Sequence, residues 1–242
     1  ALTLVRGIGD LWGESIVLGN LGYLYARLGD GDRARAYYRQ DLGLCRSLGD
    51  RRGESWTQGY LSLLAHQEGR HRAALQHGRR ALALARAVGH DPLIARAYHA
   101  VGCAWVGLEG WDEADRAYRK ALALRRKAGA EALAMETQAG LVRVALGRGV
   151  VEEALTAAET ILAYLVEETA ARTDEQLRIY LATYRALAAA SDPRACSVLE
   201  KAGALLETKA AKIEDPALCD AFLNRVAVHR EIRALADREL KL

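Results

Sequence analysis

The frame Gly-Asp-x-x-Gly-Glu-Ser occurs at residues 9–15 and returns at 49–55, forty positions later. Whole columns follow the same spacing. Glycine stands at Gly9, Gly49, Gly89 and Gly129, alanine at Ala34, Ala74, Ala114 and Ala154, and leucine at Leu2, Leu42, Leu82, Leu122 and Leu162. With 22 glycines in 242 residues, extending one glycine into a column of four has a chance of roughly one in a thousand or less. A fixed period of this length means stacked copies of one supersecondary unit, each burying its apolar face on the next. The period also disposes of the catalytic reading of the frame. Ser55 sits in Gly-Glu-Ser-Trp-Thr, where a nucleophile elbow needs a second glycine, and no phosphate-loop run occurs in the chain.

Within one period the apolar spacing predicts two amphipathic helices, over about 51–68 and 71–87, joined by a turn at residues 68–71. Glycine closes the second helix, and Asp10 or Asp50 beside it is placed to cap the next. All three prolines follow aspartate, at 91–92, 192–193 and 215–216, which reads as an Asp N-cap with Pro at the first helical position. Abundant Ala and Leu with a single Phe favour helix over sheet. The sequence contains no apolar run of the roughly 18 residues that a membrane span requires. Four scattered cysteines, with no CxxC pair, fit a reduced, cytoplasmic chain.

The layout resembles the tetratricopeptide repeat. That family's order of Gly, aromatic, Gly, Ala, aromatic and Ala is matched by Gly22, Tyr25, Gly29, Ala34 and Tyr38, with Asp41 departing in the last place. The third row offers Gly102, Trp105, Ala114, Tyr118 and Ala121, with Glu109 replacing a glycine. The second row keeps Gly69, Ala74 and Ala81, the fourth keeps Gly140, Gly147 and Ala154, and a weaker fifth pair covers 177–206. The expectation is therefore an all-α protein: a right-handed α-solenoid of about five antiparallel helix pairs with a C-terminal helical cap. As a single domain over 1–242, it would hold a remnant of a preceding repeat at 1–8, five pairs over 9–206 and capping helices over 207–242. The remnant suggests a fragment of a longer solenoid.

The closing segment, with Ile213, Asp215, Phe222, Leu223, Val226, His229, Arg230 and Ile232, is similar to the end of tetratricopeptide sensor regions in bacterial STAND-type signalling ATPases and MalT-like transcription activators. This likeness implies a non-catalytic sensor or scaffold arm that binds a protein, a peptide or a small-molecule inducer. By the family's register, the residues facing the concave groove are Tyr23, Arg27, Trp56, His66, Gln67, Arg96 and His99. An aromatic and basic groove suits an extended peptide with acidic groups, or a small polar ligand stacked on an aromatic ring. The family's carboxylate clamp wants a basic residue and then Asn where Gly19 and Tyr23 stand, so that specificity is not expected.

Other constellations carry less. His99 and Cys103 share a helical face but lack a third ligand, and Asp30 and Asp32 read as turn chemistry, so neither a metal nor a cofactor is expected. Arginines at 39, 79 and 119 and at 6, 46, 86 and 126 form a stripe on the second helices. Against a net charge of +3 this reads as a solvated face, with Arg46 pairing Asp50, rather than a nucleic-acid surface. A competing expectation is structural: self-association through the apolar end around Leu2 and Leu4, or a free-standing adaptor.

Overall fold

The computed structural model describes residues 1–166 and 175–239. Residues 167–174, within the span expected for the five pairs, and 240–242, within the expected cap, lie outside the described residues. All regular structure described is helical. The helices are α1 (Leu2–Gly7), α2 (Leu11–Arg27), α3 (Gly31–Ser47), α4 (Arg51–Gln67), α5 (His71–Val88), α6 (Asp91–Gly107), α7 (Trp111–Lys127), α8 (Glu131–Gly147), α9 (Val151–Val166), α10 (Gln176–Ala189), α11 (Arg194–Ala210), α12 (Pro216–Asn224) and α13 (Ala227–Glu239). Consecutive helices pack as hairpins, α2 on α3 through α10 on α11. Even-numbered neighbours also meet, α4 on α6 and α8 on α10. The fold is an α-solenoid whose last pair is covered by α13, which packs on α11 and α10.

The turns explain the twenty-residue beat inside the forty. Gly9, Gly29, Gly49, Gly69, Gly89, Gly129 and Gly149 all take φ between +64° and +79°, the left-handed conformation that ends a helix most cheaply on glycine. Glu109 occupies the same place in the third row and is held at φ 57°, so the geometry outlives the loss of the glycine. Asp10, Asp30 and Asp50 each accept a backbone N–H from the first turn of the following helix, at 2.9–3.0 Å.

Inside the helices, small residues admit large ones. A Cβ on Gly22 would lie 2.5 Å from the Tyr38 ring, and Cβ atoms on Gly102 and Gly140 would lie 2.7 and 2.6 Å from Tyr118. Both tyrosines are fully buried at these crossings.

Two local expectations need correction. Of the three Asp-Pro pairs only Asp215 caps as expected, accepting from the backbone N–H of Ala217 and Leu218. In α6 the cap is His90, which moves Asp91 and Pro92 into the first turn, whereas Asp192 precedes the cap of α11 and binds Arg194. Arg46 pairs with Glu54 at 2.9 Å rather than with Asp50, because Asp50 is already engaged as a cap.

The solenoid curves until its ends touch. Leu28, in the α2–α3 turn, packs into the apolar cluster formed by Leu177, Phe222, Ile232 and their neighbours in α10–α13. Beside it, a Cβ on Gly29 would sit 2.4 Å from the Ala221 carbonyl oxygen of α12. Arg27 lies 3.8 Å from Glu175, just ahead of α10. The first repeat therefore rests on the last, and the concave groove is a chamber rather than an open trough.

Candidate functional site

The chamber has a volume of about 490 Å³. It is lined from the first repeat by Asn20 and Tyr23, from the second by Trp56, Tyr60 and Gln67, from the third by Arg96, His99 and Arg125, and from later helices by Glu136, Glu175 and Arg178. Five of the seven expected groove residues, Tyr23, Trp56, Gln67, Arg96 and His99, thus share one cavity. The other two border adjoining hollows. Arg27 faces one against α12 and α13, and His66 faces another with His71, Arg143 and Arg185.

One wall is aromatic. Tyr23 and Trp56 lie 5.4 and 6.1 Å from Tyr60, which stacks in turn on buried Tyr38 at 5.4 Å. The Arg96 guanidinium lies over this wall, 3.8 Å from the Tyr60 centroid and 4.2 Å from that of Trp56. Its buried Nε has no hydrogen-bond partner, and among the described residues no carboxylate pairs with it. Arg27 donates to the Tyr23 hydroxyl at 3.1 Å, which fixes the rim of the same wall.

The opposite wall is a polar network built around a buried arginine. Arg125 is 5% exposed and donates to the Leu133 carbonyl at 2.5 Å and the Thr137 hydroxyl at 2.6 Å, with Glu136 at 3.7 Å. Burial lowers its affinity for the proton and Glu136 opposes that effect. His99, expected as a lightly packed groove residue, is in fact buried; its ring lies 3.4 Å from Arg125 and 3.6 Å from the Cys103 sulfur. Burial first, and then Arg125 and Arg178, hold the imidazole well below its ordinary range, so it is neutral at pH 7. His66 is held neutral in the same direction by burial, Arg143 and Arg178. Glu175 is the counterweight. Burial would raise its carboxyl, but Arg178, at 2.8 Å, and Arg27 outweigh it and keep the group ionised.

The arrangement offers an aromatic surface and three arginines, of which Arg125 and Arg178 face Glu136 and Glu175 while Arg96 has no carboxylate partner among the described residues. It does not gather three or more His, Cys, Asp or Glu side chains as a metal centre would, among the described residues. Sequence reasoning missed Tyr60, Arg125, Arg143 and Arg178. Arg125 carried a signal, because its register mates are Cys45, Ala85 and Leu165, a column of uncharged residues. Arg178 carried none, since it lies beyond the stretch that keeps the forty-residue spacing.

Family profiles described as tetratricopeptide repeat match residues 14–87 and 94–128, and the chain carries tetratricopeptide repeats there. No curated protein matches it. Among solved structures it is similar to BtubC from P. vanneervenii, at 18% identity over 89% of this chain and 90% of that one, with a TM-score of 0.67. It is similar to a Rap protein complexed with competence and sporulation factor, at 16% identity over 97% and 68% of the two chains, TM-score 0.68. A kinesin light chain with nearly identical TPR-like repeats, from Podosopora anserina, aligns at 17% identity over 88% and 99%, TM-score 0.56. These likenesses establish the helical solenoid fold. No helix among the described residues is long and apolar enough to cross a membrane.

Proposed function

We propose that this tetratricopeptide solenoid is a non-catalytic, cytoplasmic binding arm whose chamber takes an acidic peptide, a segment of a protein partner or a small acidic inducer. The observation that carries the reading is Arg96, lying over the Trp56 and Tyr60 rings with no carboxylate partner among the described residues. A guanidinium so held has little freedom left to lose on binding, and it keeps N–H groups for a carboxylate or phosphate. In the adjoining hollow beside His66, Arg143, which has no hydrogen bond or ion pair among the described residues, is a second uncompensated cation. The Rap relative is a precedent in kind, since its structure holds the competence and sporulation factor.

In this reading the arm serves a bacterial STAND-like signalling ATPase or transcription activator. A ligand that favours one curvature of the solenoid would bias the attached switch by its differential affinity for the two states. A free-standing adaptor is equally compatible with the fold. The test is capture from a lysate by the parent chain and by an Arg96→Ala, Trp56→Ala variant whose circular dichroism matches the parent. A partner held by the first and lost by the second supports chamber binding, and indistinguishable captures count against it.

A second reading, self-assembly, has its own observation. Leu4, Ile8, Leu11, Trp12, Ile16 and Leu24 expose apolar surface on α1 and α2. Sedimentation that stays monomeric at high concentration would remove it.

A further inference from the structure

Beyond Trp56 the aromatic wall continues into a second hollow of about 380 Å³, lined by Trp12, Ile16, Asn20, Trp56 and Tyr60 and floored by Asp41. Asp41 is the residue that departs from the repeat. Its register mates are Ala81, Ala121 and Ile161, all buried and apolar. A carboxylate in such a column must be held by specific donors, and it is. Ser15 donates to Oδ1 at 2.5 Å, Thr57 donates to Oδ2 at 2.5 Å, and the Cys45 thiol lies 3.5 Å from Oδ1. Asp41 is 5% exposed and has no cation within ion-pair distance among the described residues.

The held carboxylate is not sealed off. Gly19 lines the hollow beside it, and a Cβ there would come within 3.2 Å of Oδ2. The absent side chain leaves that oxygen facing the cavity, and a carboxylate has about four acceptor sites, more than the donors present fill. Arg52 and Asp50, of opposite charge, also line the hollow, and among the described residues neither hydrogen-bonds nor ion-pairs with Asp41. A buried anion at the foot of a hollow walled by two indoles and a phenol ring is suited to a cation, which gains from both the charge and the ring faces.

We propose that this hollow is a subsite for an alkylammonium or guanidinium group carried by the ligand of the adjoining chamber. Asp41 accepts from the cation, while Trp12, Trp56 and Tyr60 enclose its stem. The proposal rests on the chamber reading for its ligand, but it concerns a different end of that ligand. The whole groove is then bipolar, with an acidic group at Arg96 and a basic one at Asp41.

The four tryptophans make the test local. Trp12 lines only the new hollow, Trp56 lines both, and Trp105 and Trp111 lie in a separate cluster. The ¹⁵N indole resonances would be followed while titrating Nα-acetyl-lysine N-methylamide and its neutral counterpart, Nα-acetyl-norleucine N-methylamide. The expected result is saturable movement of Trp12 and Trp56 with the lysine probe, still Trp105 and Trp111, and affinity about tenfold or more weaker for norleucine. Asp41→Asn, which keeps an acceptor for one of the two hydroxyls and turns an amide N–H to the other, is expected to remove the preference, and Trp12→Ala gives the same answer through a side chain already half exposed. Parallel titrations with Nα-acetyl-arginine N-methylamide and glycine N-methylamide report whether the best cation is a guanidinium, a lysine ammonium or a chain N-terminus. Equal binding of lysine and norleucine, or a preference that survives both variants, would overturn the proposal. The two readings fail separately: binding of acidic ligands that survives Arg96→Ala counts against the chamber, whereas equal binding of lysine and norleucine by the parent chain counts against the hollow.

Discussion

Gly140→Ala should destabilise this protein even though alanine is the better helix former. Gly140 lies inside α8, where the exchange alone would gain about 1 kcal/mol. The new Cβ, however, would sit 2.6–2.8 Å from three atoms of the Tyr118 ring. The ring has little room to retreat, because it is fully buried and packs so closely on Gly102 of α6 that a Cβ there would lie 2.7 Å from it. Overpacking of this kind costs about 1–3 kcal/mol, which cancels or exceeds the helix gain and leaves a net loss of about 1 kcal/mol. Gly43→Ala is the control: it is an exposed helical glycine whose added Cβ would meet nothing within 4 Å, so it should gain the full helix preference. In a Tyr118→Leu background Gly140→Ala should turn from loss to gain, a coupling of about 1–3 kcal/mol. Urea midpoints by far-UV circular dichroism, with the slope unchanged, measure all of these. If Gly140→Ala stabilises as much as Gly43→Ala, or the coupling is absent, the packing explanation of the glycine columns is wrong.

Other consequences follow from the closed ring and its turns. Gly29→Ala should cost clearly more than Gly49→Ala: both have φ near +70° to +80°, but only Gly29 faces a carbonyl, that of Ala221, so the difference in urea midpoint measures end-to-end closure. Glu109→Gly should stabilise by about 1 kcal/mol in the same assay, since φ 57° is costly for a residue with a Cβ. His229 is buried in the cap, where its Nδ1–H donates to the Phe222 carbonyl at 2.7 Å; burial pushes its pKa down to about 4 despite that bond. The unfolded chain then binds the proton between about pH 6.5 and 4 and the folded one does not, so stability is full above 6.5 and falls by up to about 3 kcal/mol as pH drops to 4. Thermal unfolding across that range checks this, and His229→Asn, which keeps the donor without the titration, should remove that share of the dependence and leave the part due to buried His66 and His99.

The repeat made the fold legible because each forty-residue unit contacts chiefly its neighbours, so a local pattern carries the global architecture. Gly22, Gly102 and Gly140 announced close crossings, and Asp10 and Asp50 announced helix starts. The Asp-Pro signal worked only at Asp215, since a capping residue and the residue that precedes proline need not be the same one. Closure of the ring could not be read. It is the sum of small rotations over five pairs, and the contact between Gly29 and Ala221 joins positions with no shared pattern. The candidate site was partly legible for the same reason. Tyr23, Trp56 and Arg96 fall on groove positions of the register, while Arg178 enters from a helix outside it. Asp41 and Arg125 were visible as charges in uncharged columns, and what they floor or face depended on three dimensions.

The most direct test of the chamber is a random-peptide selection on the parent chain, with each survivor titrated by calorimetry against parent, Arg96→Ala and Trp56→Ala. Survivors enriched in Asp and Glu, bound with affinity that falls about tenfold or more in both variants, are the predicted result. Survivors without acidic enrichment, or bound equally by parent and variants, would contradict the account.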